Sequence, residues 1–221
     1  MTDQLDLVLV NTPIGALGTG RGGGVELTLT SLTQGLVMRG HRLTVVAARG
    51  STLPADCCDV TLVEVDGIDQ PSWQHAAADQ AIVIPRHGLL PALWEVALNQ
   101  AQSADAVINA GYDWLPLWLT PWVKPPVFHL ISMGDVSDVM RETIEAVAGW
   151  DARRLAFHTR SQADDFRLPL PATVVGNGFD LSRYTMCEGT DGPLGWAGRI
   201  APEKGLEDAA AAAAALGERL L

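Results

Sequence analysis

The sequence predicts an α/β protein with a doubly wound parallel sheet, followed by the first strand and helix of a second Rossmann-like domain. Two observations carry this prediction. Short, near-continuous apolar runs alternate with helix-like stretches along most of the 221 residues, and a glycine-rich loop separates the first apolar run from the first helix. Strands that are apolar on both faces are typical of parallel sheets covered by helices.

The first unit of this pattern is a strand, a loop, a helix and a second strand. Residues 5–10 (LDLVLV) are aliphatic and end at a turn-forming Asn-Thr-Pro, which predicts a buried strand. From Val25, apolar residues recur at helical spacing as far as Arg39-Gly40. Residues 41–48 (HRLTVVAA) predict the next strand, so the unit should form a right-handed parallel crossover.

The alternation continues to residue 175. Further strands are expected at 60–65, 81–84, 105–109, 127–132, 154–158 and 173–175, with helices at 89–102 and 136–148. A polar, glycine-rich stretch then predicts a boundary between an N-terminal domain, residues 1–189, and the start of a second domain, residues 190–221. The second domain begins with an apolar run from Pro193 and continues into an alanine-rich helix.

Composition narrows the class of protein. The net charge is -11, from 26 acidic and 15 scattered basic residues, which argues against nucleic acid as a partner. The three cysteines fit neither a disulfide framework nor metal-ligand spacing, so no metal is expected. Because the amino terminus lacks a secretory signal and no apolar run is long enough to span a bilayer, we expect a cytoplasmic protein.

The loop at residues 18–23 (GTGRGG) matches the G-x-G-x-x-G pattern of dinucleotide-binding proteins. It is much longer than the tight turn of that pattern, and the second strand ends at Arg49, where an acidic ribose ligand would be expected. Arg49 would suit a 2'-phosphate, so an NADP-binding oxidoreductase is one hypothesis. Glycines let a backbone approach a ligand, and helix amides attract phosphate. The alternative is a surface loop without a ligand.

A second motif lies at residues 195–206 (GWAGRIAPEKGL). Arg199 and Lys204 stand five positions apart around a Pro-Glu helix start. The planar guanidinium of Arg199 and the point charge of the Lys204 ammonium together suit a diphosphate. Either cation alone would be interpreted as a solvated surface charge.

These motifs resemble the retaining glycosyltransferases of the GT-B fold, in the family-4 group. The matching stretches are GGGVE from Gly22, RGH followed by LTVV, GNGFDLSRY from Gly176 and GRIAPEKGLEDA from Gly198. Within the group, TPIGALGTGRGGGVELTL, YDWLPLWLTP and HLISMGDVSD look like bacterial enzymes that transfer glucose from UDP-glucose to a reduced pterin such as tetrahydrobiopterin. The resemblance covers nearly all of the chain.

The resemblance implies a hexosyltransferase with a nucleotide-sugar donor as co-substrate, a small acceptor and no cofactor. The residues expected to hold the donor diphosphate across an interdomain cleft are Gly23, Gly24, Arg199 and Lys204. In such enzymes the diphosphate takes the acceptor's proton, so no protein nucleophile is required and no catalytic residue is assigned. The residues expected to contact the acceptor are Glu26, Asp113 and Ser132. Asp113 would serve equally well as a helix N-cap.

Some features depart from the family pattern. Ser132-Met133 replaces a histidine that many relatives carry near the acceptor, and His129 lies three residues earlier. The family's E-x7-E element does not occur before Leu221, so a truncated, inactive binding module is a further hypothesis. Another is an oligomer, or a second chain, that supplies the missing C-terminal half.

Trp114, Trp118 and Trp122 predict a buried helical stripe. We interpret His158 as a packed or capped histidine.

Overall fold

The chain divides into two compact units, Met1–Phe179 and Asp180–Leu221. The computed structural model describes residues 4–72, 77–178, 180–181, 185–186, 192–198, 200 and 204–221. The predicted boundary at 189/190 lies outside the described residues. Within the described residues, no helix is both long and apolar enough to cross a membrane.

The first unit is built on a seven-stranded sheet in which every pairing is parallel. The strands are β1 (Asp6–Val10), β2 (Arg42–Ala48), β3 (Thr61–Val65), β4 (Ala106–Asn109), β5 (Val127–Ile131), β6 (Leu155–Phe157) and β7 (Thr173–Val174). Their order is β3-β2-β1-β4-β5-β6-β7, so the winding direction reverses between β1 and β4. This confirms the predicted doubly wound α/β fold.

Helices cover the two faces of this sheet. They are α1 (Gly24–Met38), α2 (Leu89–Gln100), α3 (Trp114–Leu119), α4 (Asp138–Asp151) and α5 (Arg160–Ala163). Because alternate side chains of a strand point to opposite faces, the apolar strands bury residues on both sides. Leu29 of α1 clusters with Leu9 and Val45 on one face, and Trp94 of α2 clusters with Val8 and Val46 on the other.

Two sequence predictions about the first unit were wrong. Residues 81–84 form no strand and pair with no described strand; Val83 is held instead through its carbonyl, which accepts a hydrogen bond from Gln70 Nε2 at 2.5 Å. The tryptophan stripe is not buried, because Trp118 is 48% and Trp122 is 74% exposed. Helix α3 ends at Leu119, so Trp122 is no longer part of its helical face.

The second unit contains a helix between two short parallel segments. Helix α6 (Leu206–Leu216) begins after Gly205 and ends at Gly217, both in the left-handed region. Leu194 and Leu220 form a parallel bridge, in which Leu221 N donates to Leu194 O at 2.9 Å. The helix that the sequence predicts here is present, whereas the apolar run from Pro193 contributes a single bridge and no strand among the described residues. A second Rossmann-like domain stays a prediction.

Candidate functional site

A cleft of about 330 Å³ lies at the carboxyl edge of the sheet in the first unit. Four chain segments that leave the sheet line it, after β1 (Thr12), β4 (Ala110), β5 (Ser132) and β6 (His158). Since β1 and β4 are neighbours, the cleft lies where the winding reverses, which is where ligands bind in open α/β sheets.

The start of helix α1 forms another wall of the cleft. This wall presents Gly22, Gly24, Val25 and Thr28, and the remaining lining residues are Ile14, Ser72, Tyr112, Met133 and Asn177. Gly24 has open space around it, since a Cβ atom added there would meet nothing within 4 Å. At Gly24 the backbone therefore faces the cleft without a side chain in front of it.

The glycine-rich loop wraps around the carboxylate of Glu26. The backbone N–H groups of Gly18 and Gly20 donate to Glu26 Oε2 at 2.8 and 3.0 Å, and that of Gly22 donates to Oε1. Glu26 is only 5% exposed. Successive backbone N–H groups pointing at one spot form an anion site, and here the chain's own carboxylate occupies it.

This arrangement gives Glu26 a different role from the predicted one. Both of its carboxylate oxygens already accept hydrogen bonds from the loop, so Glu26 anchors the loop; its contact with an acceptor stays a prediction.

Gly23 takes φ 62° and its N–H donates to Gly20 O at 3.2 Å. Of the two predicted donor-binding glycines, Gly24 lines the cleft. Diphosphate binding by Gly23 and Gly24 stays a prediction.

The same contacts weaken the NADP hypothesis. The amides of Gly18 and Gly20, which belong to the G-x-G-x-x-G pattern, are bonded to Glu26 and are not directed at a pyrophosphate. Arg49, proposed for a 2'-phosphate, is paired with Asp66 through two hydrogen bonds, of which Nη2 to Oδ2 measures 2.6 Å.

The two remaining predicted acceptor residues lie in different places. Ser132 lines the cleft. Asp113 is 3% exposed, occupies the N-cap position of α3 and is not among the lining residues. Asp113 thus stands at the N-cap position, but its side chain makes no capping hydrogen bond to the helix, and its contact with an acceptor stays a prediction.

A buried histidine holds the chain segment that follows β4. His129 is 1% exposed; its Nδ1 lies 3.0 Å from Asn109 Nδ2 and its Nε2 lies 2.7 Å from Thr120 Oγ1. Asn109 also makes two hydrogen bonds with Gly111: its Oδ1 accepts from the Gly111 N–H, and its Nδ2 donates to the Gly111 carbonyl. Burial, with a smaller effect from the charge of Arg154, lowers the pKa of His129 to about 3. His129 is therefore a neutral, positioning residue.

Tyr112 ties two of the cleft-lining segments together. Its hydroxyl donates a hydrogen bond to Gly134 O at 3.0 Å, which links the segment after β4 to the segment after β5. Burial raises the pKa of Tyr112, so the phenol keeps its proton and the link at neutral pH.

His158 lies in the cleft, which the sequence did not predict. Its Nδ1 is 3.0 Å from Gly176 O, and its backbone N–H donates to Gln162 Oε1 at 3.0 Å. Gln162 Nε2 in turn donates to Ile131 O at 3.0 Å. His158 is therefore hydrogen-bonded, as interpreted, but it also lines the cleft.

Comparison with known proteins gives little additional information. No protein-family model matches this chain, and no curated protein matches it. It is similar to a solved structure described as the glycotransferase of kitacinnamycin, with 13% identity and a TM-score of 0.45. The match covers 88% of this chain and 57% of that one, so this chain spans less than two thirds of its length. A likeness this distant carries no argument about function.

The second unit holds the other predicted donor residues. Lys204 is exposed, and its carbonyl accepts a hydrogen bond from Trp196 Nε1 at 3.1 Å. The Trp196 ring lies against Gly198, where an added Cβ would come within 3.0 Å of Cζ2. Arg199 lies outside the described residues. The pairing of Arg199 with Lys204 on a diphosphate stays a prediction.

Proposed function

We propose that this chain is a retaining glycosyltransferase that moves glucose from UDP-glucose to a small acceptor, a reduced pterin. The observation that carries the proposal is the cleft at the reversal point of the sheet, which is lined by Gly22 of the glycine-rich loop and by Gly24, where α1 begins. The sequence motifs at Gly22–Glu26 and Gly198–Lys204 support the same assignment through their resemblance to family-4 enzymes.

The size of the cleft suits the acceptor. At about 330 Å³ it is near the lower end of the range for small-molecule pockets, too small for a whole nucleotide sugar. We therefore assign the acceptor to the first unit and the donor diphosphate to Arg199 and Lys204 of the second.

The proposed reaction needs no protein nucleophile. The bond between the anomeric carbon and the diphosphate oxygen breaks, the acceptor's oxygen or nitrogen bonds to that carbon on the same face, and the diphosphate takes the acceptor's proton. Hydrogen-bond donors and cations aimed at the diphosphate would lower the barrier, because negative charge builds up there. Among the described residues that line the cleft there is no carboxylate that could act as a nucleophile.

The donor assignment is tested by thermal unfolding with UDP-glucose, UDP or NADP. A ligand that binds only the folded state raises Tm, so we expect UDP-glucose and UDP, but not NADP, to stabilise the chain. Arg199→Ala and Lys204→Ala should remove that increase, and Lys124→Ala, at an exposed lysine of the first unit, should not. An increase with NADP alone would favour the oxidoreductase hypothesis instead.

A matched pair of glycine substitutions tests the role of the cleft. Gly24→Ala should leave Tm unchanged or slightly higher, since the methyl group meets nothing within 4 Å, yet it should reduce glucose transfer by occupying the cleft. Gly22→Ala should lower Tm, because its Cβ would lie 2.9 Å from Glu26 Cγ and 3.0 Å from Thr12 Cγ2. Full transfer activity in Gly24→Ala would contradict the assignment of this cleft.

A further inference from the structure

We propose that the cleft takes an uncharged acceptor and that His158 Nε2 accepts a hydrogen bond from the acceptor's nucleophilic O–H or N–H group. The inference rests on the proposed function for calling the ligand an acceptor. The binding site itself is argued only from the contacts and charges of the first unit.

The lining of the cleft carries no charge. Among the described residues that line it, none is Asp, Glu, Lys or Arg; the polar side chains are hydroxyls, one amide and one imidazole. A charged ligand would lose its hydration here without gaining an ion partner. The cleft therefore favours a ligand without net charge.

Helix α1 does not make the cleft an anion site. A helix N-terminus carries a partial positive charge, and α1 begins at Gly24 beside the cleft. The carboxylate of Glu26 already lies against that end, where it accepts the N–H groups of Gly18, Gly20 and Gly22. The charge that would attract an anion is thus compensated inside the chain.

The hydrogen bond at Gly176 determines which nitrogen of His158 carries the proton. A carbonyl oxygen only accepts, so the 3.0 Å contact between Nδ1 and Gly176 O requires a proton on Nδ1. In a neutral imidazole the other nitrogen then holds a lone pair. His158 Nε2 is consequently an acceptor, and a ligand that pairs with it must bring a donor.

Two neighbouring hydroxyls share this property with His158. Thr28 Oγ1 donates its proton to Gly24 O at 3.1 Å and the Tyr112 hydroxyl donates its proton to Gly134 O, so toward a ligand both oxygens can only accept. Ser132 can donate or accept, and His158 Nε2 is the only nitrogen with an acceptor lone pair among the described side chains that line the cleft. An acceptor of glycosyl transfer always has an O–H or N–H at its reacting atom, and hydrogen bonding to His158 would orient that atom before the diphosphate takes the proton.

Two substitutions separate the two nitrogens of His158. His158→Asn places an amide where Nδ1 stands, so it keeps a donor for Gly176 O but loses the acceptor at Nε2. His158→Gln reaches the position of Nε2 with an acceptor oxygen but gives up the bond to Gly176. His87→Asn is the control, because His87 is exposed, does not line the cleft and has φ 58°, which asparagine tolerates.

The probes are biopterin, which is uncharged near pH 7, and pterin-6-carboxylate, which has the same ring and a negative charge. We measure their binding to the purified 221-residue chain by calorimetry, without a sugar donor. We expect biopterin to bind at least about tenfold more tightly than the carboxylate, and His158→Asn to weaken biopterin about tenfold, the loss of one good hydrogen bond. His158→Gln and His87→Asn should bind nearly as well as the native chain.

The possible outcomes are distinct. Equal binding of both probes, or no binding of biopterin, overturns the inference of an uncharged ligand. Loss of binding in His158→Gln but not in His158→Asn overturns the role of Nε2 and indicates that the bond to Gly176 is what matters. Because no donor is present, a failure of UDP-glucose to stabilise the chain would contradict the proposed function and leave this result intact.

Discussion

Replacing Glu26 by alanine is expected to lower the free energy of unfolding by about 3 kcal/mol, since hydrogen bonds to a charged group contribute more than neutral ones and unpaired buried groups are costly. The carboxylate accepts from the N–H groups of Gly18, Gly20 and Gly22, and alanine has no oxygen to take its place. For a chain of this size the loss corresponds to a fall in Tm of roughly 6–12 °C. Urea unfolding of the native chain and of Glu26→Ala measures the difference in the free energy of unfolding.

The control for this prediction is Glu142→Ala. Glu142 lies on helix α4 and is exposed, so its removal should change the free energy of unfolding by no more than about 0.5 kcal/mol. Glu26→Gln should fall between the native chain and Glu26→Ala, because its amide oxygen can accept while its NH₂ faces further donors. Equal stability of Glu26→Ala and Glu142→Ala would contradict the role of Glu26 as the loop's anchor.

Amide exchange gives a local measurement of the same contact. The N–H groups of Gly18 and Gly20 should be protected from exchange in the native chain and lose protection in Glu26→Ala, while amides in the centre of the sheet should change only with global stability. This pattern distinguishes a loosened loop from a chain that is less stable throughout.

The sequence predicted the sheet well because its strands and helices are local patterns. Apolar runs such as residues 5–10 and the helical spacing from Val25 determine the element types without knowledge of their partners. The prediction failed for residues 81–84, a short apolar run that pairs with no described strand. It also failed for the tryptophan stripe, because α3 ends at Leu119, before Trp122, and Trp118 lies on the helix but is half exposed.

The candidate site was harder to predict, because its contacts join residues that are distant in sequence. The sequence placed Glu26 among the residues expected to contact the acceptor, but it does not show that the side chain turns back to the loop. His129 and Asn109 are direct register partners on neighbouring strands, and only the pairing of β4 with β5 brings them together. His158 enters the cleft for a similar reason, since β6 lies next to β5.

The neutral state of His129 makes the stability of the chain depend on pH. In the unfolded chain its pKa is near 6.5, and burial lowers it to about 3 in the fold. Between these values the unfolded state binds a proton that the folded state does not, so stability is complete above pH 6.5 and falls as the pH decreases toward 3. The slope from one such group is about 1.4 kcal/mol per pH unit.

His129→Gln isolates this contribution. Glutamine does not titrate and can keep part of the bonding to Asn109 and Thr120, so the variant should be less stable at pH 7 but should lose less stability on acidification. We expect the difference between the two proteins to shrink by roughly 2.5 kcal/mol from pH 6 to pH 4 in urea unfolding.

Other titrating groups do not account for that difference. Hydrogen bonding from Arg153 lowers the pKa of Asp151 to about 2, so its own contribution falls below pH 4 and is shared by both proteins. The charged group that acts on His129 is Arg154, whose positive charge disfavours a second positive charge on the imidazole. His87→Asn, at an exposed histidine, should follow the native pH dependence. Parallel curves for the native chain and His129→Gln would mean that His129 takes up a proton in the folded state, and the bond from Asn109 Nδ2 to its Nδ1 could then not exist as described.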